Sequence, residues 1–357
     1  MKKEFDVLIV AQDYLLTSAA YWIWSCWQEG FMDNNYKCQI ISEEKLDDFD
    51  ILEKNYLIIL DIALVRLEKK NTFKILKKLA EQGSILISNI WYPYDALPDK
   101  RINNLQKMLK NNHIKFLFGE QEDNLSKKLN KIFQNKYKVI PNAVKNSTLQ
   151  TAKNLPYDEK YDYQVVFIGA KLPHKNWFNK NIIPEVKNKY NCLIHGNGWK
   201  KRDYLIKLLN KISFITNINS IRKISEKITI RISELEETKI YRNSKVVLNF
   251  HERDIENSKP HRIVNQRLFK LAACGCFQIV DKDSIIDKYY DEDKVLQLPL
   301  NKKLWLEKID ELVNKKRFEI ERKRESIINH TESNHTSKRR VIDLLDQIKN
   351  INKNSKK

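Results

Sequence analysis

Short, unbroken apolar runs recur along the first 145 residues, each followed by a stretch in which apolar positions return every three or four residues. The runs at 5–11, 38–41, 56–61, 84–90, 114–118 and 137–140 predict strands. The periodic stretches at 15–29, 67–82, 101–112 and 123–134 predict helices. Strands apolar on both faces and separated by helices imply a parallel sheet covered on both sides. Residues 146–163 are polar and aperiodic, as a linker would be. A second alternation follows, with strands at 164–169, 191–195, 245–250 and 277–281 and helices at 176–190, 200–212, 233–243 and 265–273. Residues 302–350 predict charged helices without strands. The pattern gives an α/β chain of two doubly wound domains, 1–150 and 160–335, followed by a C-terminal helix and basic tail at 336–357.

Composition narrows the class. At 42% hydrophobic and 10% aromatic the 357-residue chain is globular, and the scarcity of Gly (7) and Pro (8) argues for long helices over hairpins. The net charge of +19 adds two local clusters: residues 199–231 hold nine Lys and Arg against two acids, and the tail from Thr336 holds seven against two. Such clusters attract anionic lipid or polyanionic substrates and leave room for a peripheral contact with an anionic membrane. Nucleic acid is disfavoured, because no reader motif is visible. The five cysteines lack the spacing of a disulfide framework or a zinc site. The N-terminal apolar run reads as a first strand and not as a signal peptide, and the run Tyr14–Trp27 is too short and too polar to span a bilayer. A cytoplasmic protein, able to sit at the inner face of the membrane, is the expectation.

The richest chemistry lies in residues 240–281. A strand ending at Asn249 opens into a loop carrying His251, Arg253, His261 and Arg262. A helix then starts near Asn265 and Arg267, and a glycine turn at Gly275 leads to another strand. A strand whose carboxyl end meets a helix N-terminus is where open α/β sheets hold anions. Two further loops qualify. Gly169–Lys175 follows one strand and precedes a helix, so backbone N–H groups and Lys175 can meet a diphosphate. His195-Gly196-Asn197-Gly198-Trp199 follows the next strand, with two glycines permitting close backbone approach and Trp199 able to wall a base pocket. Arg267 can pair bidentately with phosphate oxygens. No metal box appears: Asp281-Lys282-Asp283 ends a strand, and Asp291-Glu292-Asp293 lies in a charged loop.

The order of these pieces resembles the C-terminal half of the group 1 glycosyltransferases, in particular the CgeB-like spore-protein subgroup. The matching residues are Val246-Val247-Leu248-Asn249, Arg267-Leu268-Phe269-Lys270, Ala273-Cys274-Gly275 and Val280-Asp281. Val165 to Gly169, Leu193 to Trp199, and His335-Thr336 with Arg339-Arg340 fall in the same order, and Pro141-Asn142-Ala143 is similar to the domain-junction motif. The resemblance implies a GT-B fold, two Rossmann-like domains facing across a cleft, with residues 338–350 crossing back to the first domain. It implies transfer of a sugar, with retention, from a nucleotide-diphosphate donor to a glycan, lipid-linked or protein acceptor in cell-surface polysaccharide synthesis. No cofactor or metal is implied. Donor contacts fall on Gly169, Lys175, His195, Gly196, Trp199, Asn249, Asn265 and Arg267. Catalytic roles fall on His251 and Lys270, and on Asp13 after the first strand, where it also reads as a helix cap. Trp22, Trp24 and Trp27 line an acceptor groove or belong to the core. One departure stands out: the family has glutamates where this chain has Arg262 and Lys270, and the later one accepts hydrogen bonds from the donor ribose. Lysine has no acceptor, which raises the alternative of a non-catalytic binding protein.

Overall fold

The computed structural model describes residues 6–11, 19–46, 55–61, 65–90, 98–119, 123–172, 175–200, 203, 208, 212, 232–250, 264–282 and 285–354. The chain forms two compact units. The first comprises residues 1–146, 262–269 and 331–357, and the second residues 147–261 and 270–330.

The first unit is built on six parallel strands in the order β2-β1-β3-β4-β5-β6: β1 Asp6–Ala11, β2 Cys38–Ser42, β3 Tyr56–Asp61, β4 Ile85–Asn89, β5 Ile114–Gly119 and β6 Tyr137–Val139. The pleat divides their apolar residues between two cores. Leu8, Val10, Ile58, Leu60 and Leu86 pack with α2 (Lys70–Glu81), α3 (Asp99–Lys110) and α4 (Asp123–Ile132). Val7, Ile9, Leu57, Ile59 and Ile87 pack with α1 (Ala19–Asp33) and with the last helix of the chain, Ser337–Asn354. That last helix therefore belongs to the first unit. It is pinned where Val144 N–H donates to the His335 carbonyl (3.0 Å) and Ser337 N–H donates to the Val144 carbonyl (2.8 Å). A Cβ at Gly30 would lie 2.5 Å from the Ser337 carbonyl oxygen, so only glycine lets α1 approach this closely. Two pieces singled out in the sequence, Pro141-Asn142-Ala143 and His335 to Arg340, meet here. Arg340 donates to the Asn142 carbonyl (3.4 Å) and contacts His335 Nδ1 (2.8 Å).

The second unit holds five parallel strands in the order β11-β10-β9-β7-β8: β7 Val165–Ile168, β8 Cys192–His195, β9 Val246–Asn249, β10 Gln278–Asp281 and β11 Val295–Leu298. Val165, Phe167, Val246 and Leu248 face an aromatic core in which Phe178 stacks on Phe250 (centroids 4.8 Å apart) beside Trp305. Val166 and Val247 face the other way, toward Tyr241, Leu271, Cys274 and Cys276. Burial pushes the Cys274 thiol up to about 12, so it packs as a small neutral group.

Four features depart from the sequence expectation. The stretch 146–163 contains a helix, α5 (Asn146–Asn154), which buries Thr148, Leu149 and Ala152; three buried side chains in nine residues are too few to announce a period. The helix expected over 176–190 is two short ones, α6 (Asn176–Asn181) and α7 (Ile183–Lys189), because Pro184 starts a new helix. Strand β11 lies in a segment without an assigned element, although its apolar run VLQL signals it. The helix expected over 15–29 continues to Asp33. The remaining helices are α8 (Glu234–Asn243), α9 (Gln266–Ala273), α10 (Lys302–Val313), α11 (Arg317–Asn334) and α12 (Ser337–Asn354).

Candidate functional site

In the second unit the chain enters at β7, moves outward to β8, and then returns to add β9 on the other side of β7. The strand order thus reverses between β7 and β9. Ligands of open α/β sheets bind outside the carboxyl ends of the strands at such a point. Gly169 follows β7, and Asn249 closes β9.

The two loops after β7 and β8 are locked to each other. Gly169 N–H donates to the His195 carbonyl (2.8 Å), and Lys171 N–H donates to the Asn197 carbonyl (2.8 Å). Trp199 Nε1–H donates to the Gly169 carbonyl (2.7 Å), while its ring meets Phe167 edge-on at 6.0 Å. Gly196 has φ +130°, and a Cβ there would lie 2.3 Å from the Gly169 carbonyl oxygen. These glycines therefore serve the approach of one loop to the other. Asp203, passed over in the sequence, accepts from the N–H groups of Gly198 (3.0 Å) and Lys200 (2.9 Å). Its spacing after the glycine loop was the signal, since a carboxylate three residues beyond a turn caps the backbone.

Lys175 is buried and lies before α6, with Nζ 5.8 Å from the Phe167 ring. Because α6 has only six residues, the helix dipole available beside Lys175 is smaller than one continuous helix would give. Lys171 is exposed, with Nζ 5.6 Å from the Trp199 ring. Asn249 is fully buried, and its Nδ2 donates to Gln278 (3.3 Å). Asn265 caps α9: its Oδ1 accepts from Leu268 N–H at 3.0 Å. Asn265 and Arg267, which is half-buried, group with the first unit. Asp13, His251, Arg262 and Asp283 lie outside the described residues, as does most of the basic stretch 199–231.

Lys270 is buried, and its ammonium is paired with Glu237 on the first turns of α8. The second oxygen of Glu237 accepts from the Tyr241 hydroxyl (2.8 Å). The lysine thus brings a carboxylate to its own position from a residue 33 places earlier. Sequence reasoning missed Glu237 because only tertiary contact relates it to Lys270. In the first unit Asp61 ends β3 at the corresponding reversal of strand order, and its carboxylate accepts from Trp24 Nε1–H (2.6 Å). Trp24 and Trp27 are core residues, whereas Trp22 is half-buried with Lys145 Nζ 4.5 Å from its ring. Among the described residues no group of three or more His, Cys, Asp or Glu is placed to hold a metal ion. Among them, too, no helix is long and apolar enough to cross a membrane.

Residues 175–346 match the profile of a family described as glycosyl transferase-like. No curated protein matches the sequence significantly. Solved structures match over nearly the whole chain. An alpha-glucosyltransferase in complex with UDP aligns with a TM-score of 0.60 at 12% identity, covering 96% of this chain and 99% of that one. The alpha-glucosyltransferase in complex with UDP and a 13-mer DNA containing an A:G mismatch aligns with a TM-score of 0.55 at 14% identity, over 98% and 100%. Anabaena HepE in complex with UDP-glucose aligns with a TM-score of 0.53 at 8% identity, over 96% and 99%. The fold is α/β with two parallel-sheet Rossmann-like domains, matching these GT-B structures. The family match supports a glycosyltransferase.

Proposed function

We propose that this protein transfers a sugar from a nucleoside-diphosphate donor, a UDP-sugar first among them, and that it is of the CgeB-like kind. The observation that carries the proposal is the reversal of strand order between β7 and β9, whose loops bear Gly169 and Asn249, in a chain whose residues 175–346 match the glycosyl transferase-like family. The donor lies against the β7 and β8 loops, with His195, Gly196 and Trp199 on the base side and Lys171 and Lys175 on the diphosphate; Arg267 is a further candidate for a phosphate contact. In the reaction the bond from the sugar's anomeric carbon to the diphosphate breaks, and a bond to an acceptor oxygen forms. The acceptor's proton passes to a base, for which Asp13 is the candidate. His251 contacts the donor sugar. The leaving diphosphate is stabilised by lysine and arginine without a metal, as preorganised donors stabilise developing charge. The configuration is retained, and the acceptor is a glycan, lipid-linked saccharide or protein in cell-surface polysaccharide synthesis at the inner face of the membrane.

Lys270 does not by itself end this chemistry. A carboxylate at position 270 would accept hydrogen bonds from ribose hydroxyls; Glu237, held by Lys270, supplies a carboxylate beside that position. The pair also favours a second reading, a binding protein that holds a nucleotide sugar without transferring it. Incubation with labelled UDP-, GDP- and other nucleotide sugars separates the two. Release of nucleoside diphosphate above the rate in buffer is expected, and binding without turnover of any donor would establish the second reading.

A further inference from the structure

The charge of the first unit is divided along its sequence. Residues 1–68 carry six Lys and Arg against thirteen Asp and Glu, whereas residues 69–136 carry fourteen against six. The basic half is the part that forms α2, α3 and α4, which share one face of the first sheet. Ten lysines of this helical layer are exposed, and among the described residues only Glu81 and Asp99 face solvent with them as carboxylates. Lys77 is paired with Glu81 (3.5 Å), but no described carboxylate pairs with Lys70, Lys74, Lys110 or Lys131. Lys70 and Lys74, Lys107 and Lys110, and Lys127 and Lys131 stand three or four residues apart on one helix, where like charges repel. The layer on the other face is arranged differently: α12 pairs Arg339, Arg340 and Lys349 with Asp343 and Asp346.

We infer that the α2–α3–α4 face is a docking surface for the phosphate backbone of duplex nucleic acid. Three helices at interaxial distances of about 10 Å, about 15 to 18 Å long, present their lysines over an area comparable with one turn of duplex, roughly 34 Å long. Backbone docking needs no reader motif, because phosphate contacts position a protein without reading sequence. The face contains no exposed large hydrophobic residue among those described, so it lacks the apolar wedge by which interfacial helices enter a bilayer. The surface uses none of the donor-site residues, so it stands apart from the proposed sugar transfer.

The test is fluorescence anisotropy of a labelled duplex of arbitrary sequence, of about two helical turns, over a salt series. The wild type is compared with the triple variant Lys70→Glu/Lys74→Glu/Lys110→Glu and with Lys338→Glu on the opposite layer. Wild-type affinity is expected to fall linearly with salt on logarithmic axes, at about 0.9 in slope per phosphate contacted. The triple variant should lose about three such contacts and bind at least about tenfold more weakly at fixed salt, while Lys338→Glu behaves as wild type. An unchanged far-ultraviolet spectrum and unchanged nucleotide-sugar turnover show that the triple variant is folded. No duplex binding at low salt, or equal binding by the triple variant, overturns the inference. So does co-sedimentation with phosphatidylserine vesicles that is stronger than duplex binding and lost in the triple variant, which would assign the face to a membrane.

Discussion

At residue scale the pair Lys270 and Glu237 decides whether a carboxylate is available at the site. The lysine alone would be a cation with no acceptor, but its pairing with Glu237 keeps a carboxylate fixed in place, with Tyr241 holding the other oxygen. Hydrogen bonds to charged groups contribute about 1.5–3 kcal/mol. Glu237→Gln is therefore expected to raise KM for the nucleotide sugar by roughly 10- to 100-fold, with a smaller change in kcat. Reversal of the pair, Lys270→Glu/Glu237→Lys, should recover part of the lost affinity, because a carboxylate and an ammonium still face each other. An unchanged KM in Glu237→Gln would remove Glu237 from the site. The sequence exposed half of this arrangement. Lys270 was visible as a departure from a resembled motif, but its partner was not, since nothing local ties residue 237 to residue 270. Trp199 adds contacts that its place after a glycine loop did not announce: its N–H donates to the Gly169 carbonyl and its ring meets Phe167 edge-on.

At the scale of elements, the strands were legible wherever burial on both faces made them uniformly apolar, as in β1 and β3. Helix α5 was hidden because a short helix with three buried residues looks like a linker. The break between α6 and α7 was written in Pro184 but outweighed by the periodicity around it. Gly196 provides the sharpest test at this scale, since it joins the β7 and β8 loops. Gly196→Ala would place a methyl 2.3 Å from the Gly169 carbonyl oxygen at φ +130°. Side chains in such conformations cost on the order of 1–3 kcal/mol before any clash is counted. Chemical denaturation is expected to show a loss of about 2 kcal/mol or more, together with loss of nucleotide binding. Gly198→Ala should cost less, because its φ is +90° but the nearest neighbour is the Lys171 side chain at 3.2 Å. Equal tolerance of both substitutions would show that the two loops are not held together as described.

For the whole molecule, two parallel sheets emerge from one alternating pattern, and their ends set where ligands can sit. The sequence located both sheets and the return of residues 338–350 to the first domain, which the grouping of α12 with the first unit matches. It did not reveal that the lysines of residues 69–136 share one helical layer, because that layer is defined only once the strand order is known. We propose that the second unit binds a nucleoside diphosphate at the carboxyl ends of β7 and β9. Thermal unfolding of the full chain with and without UDP tests it most directly. A ligand at 100 times its Kd stabilises by about 2.7 kcal/mol. Tm is expected to rise by several degrees with UDP in the wild type but not in Gly196→Ala. An unchanged Tm with UDP, GDP and every other nucleotide at millimolar concentration would contradict it.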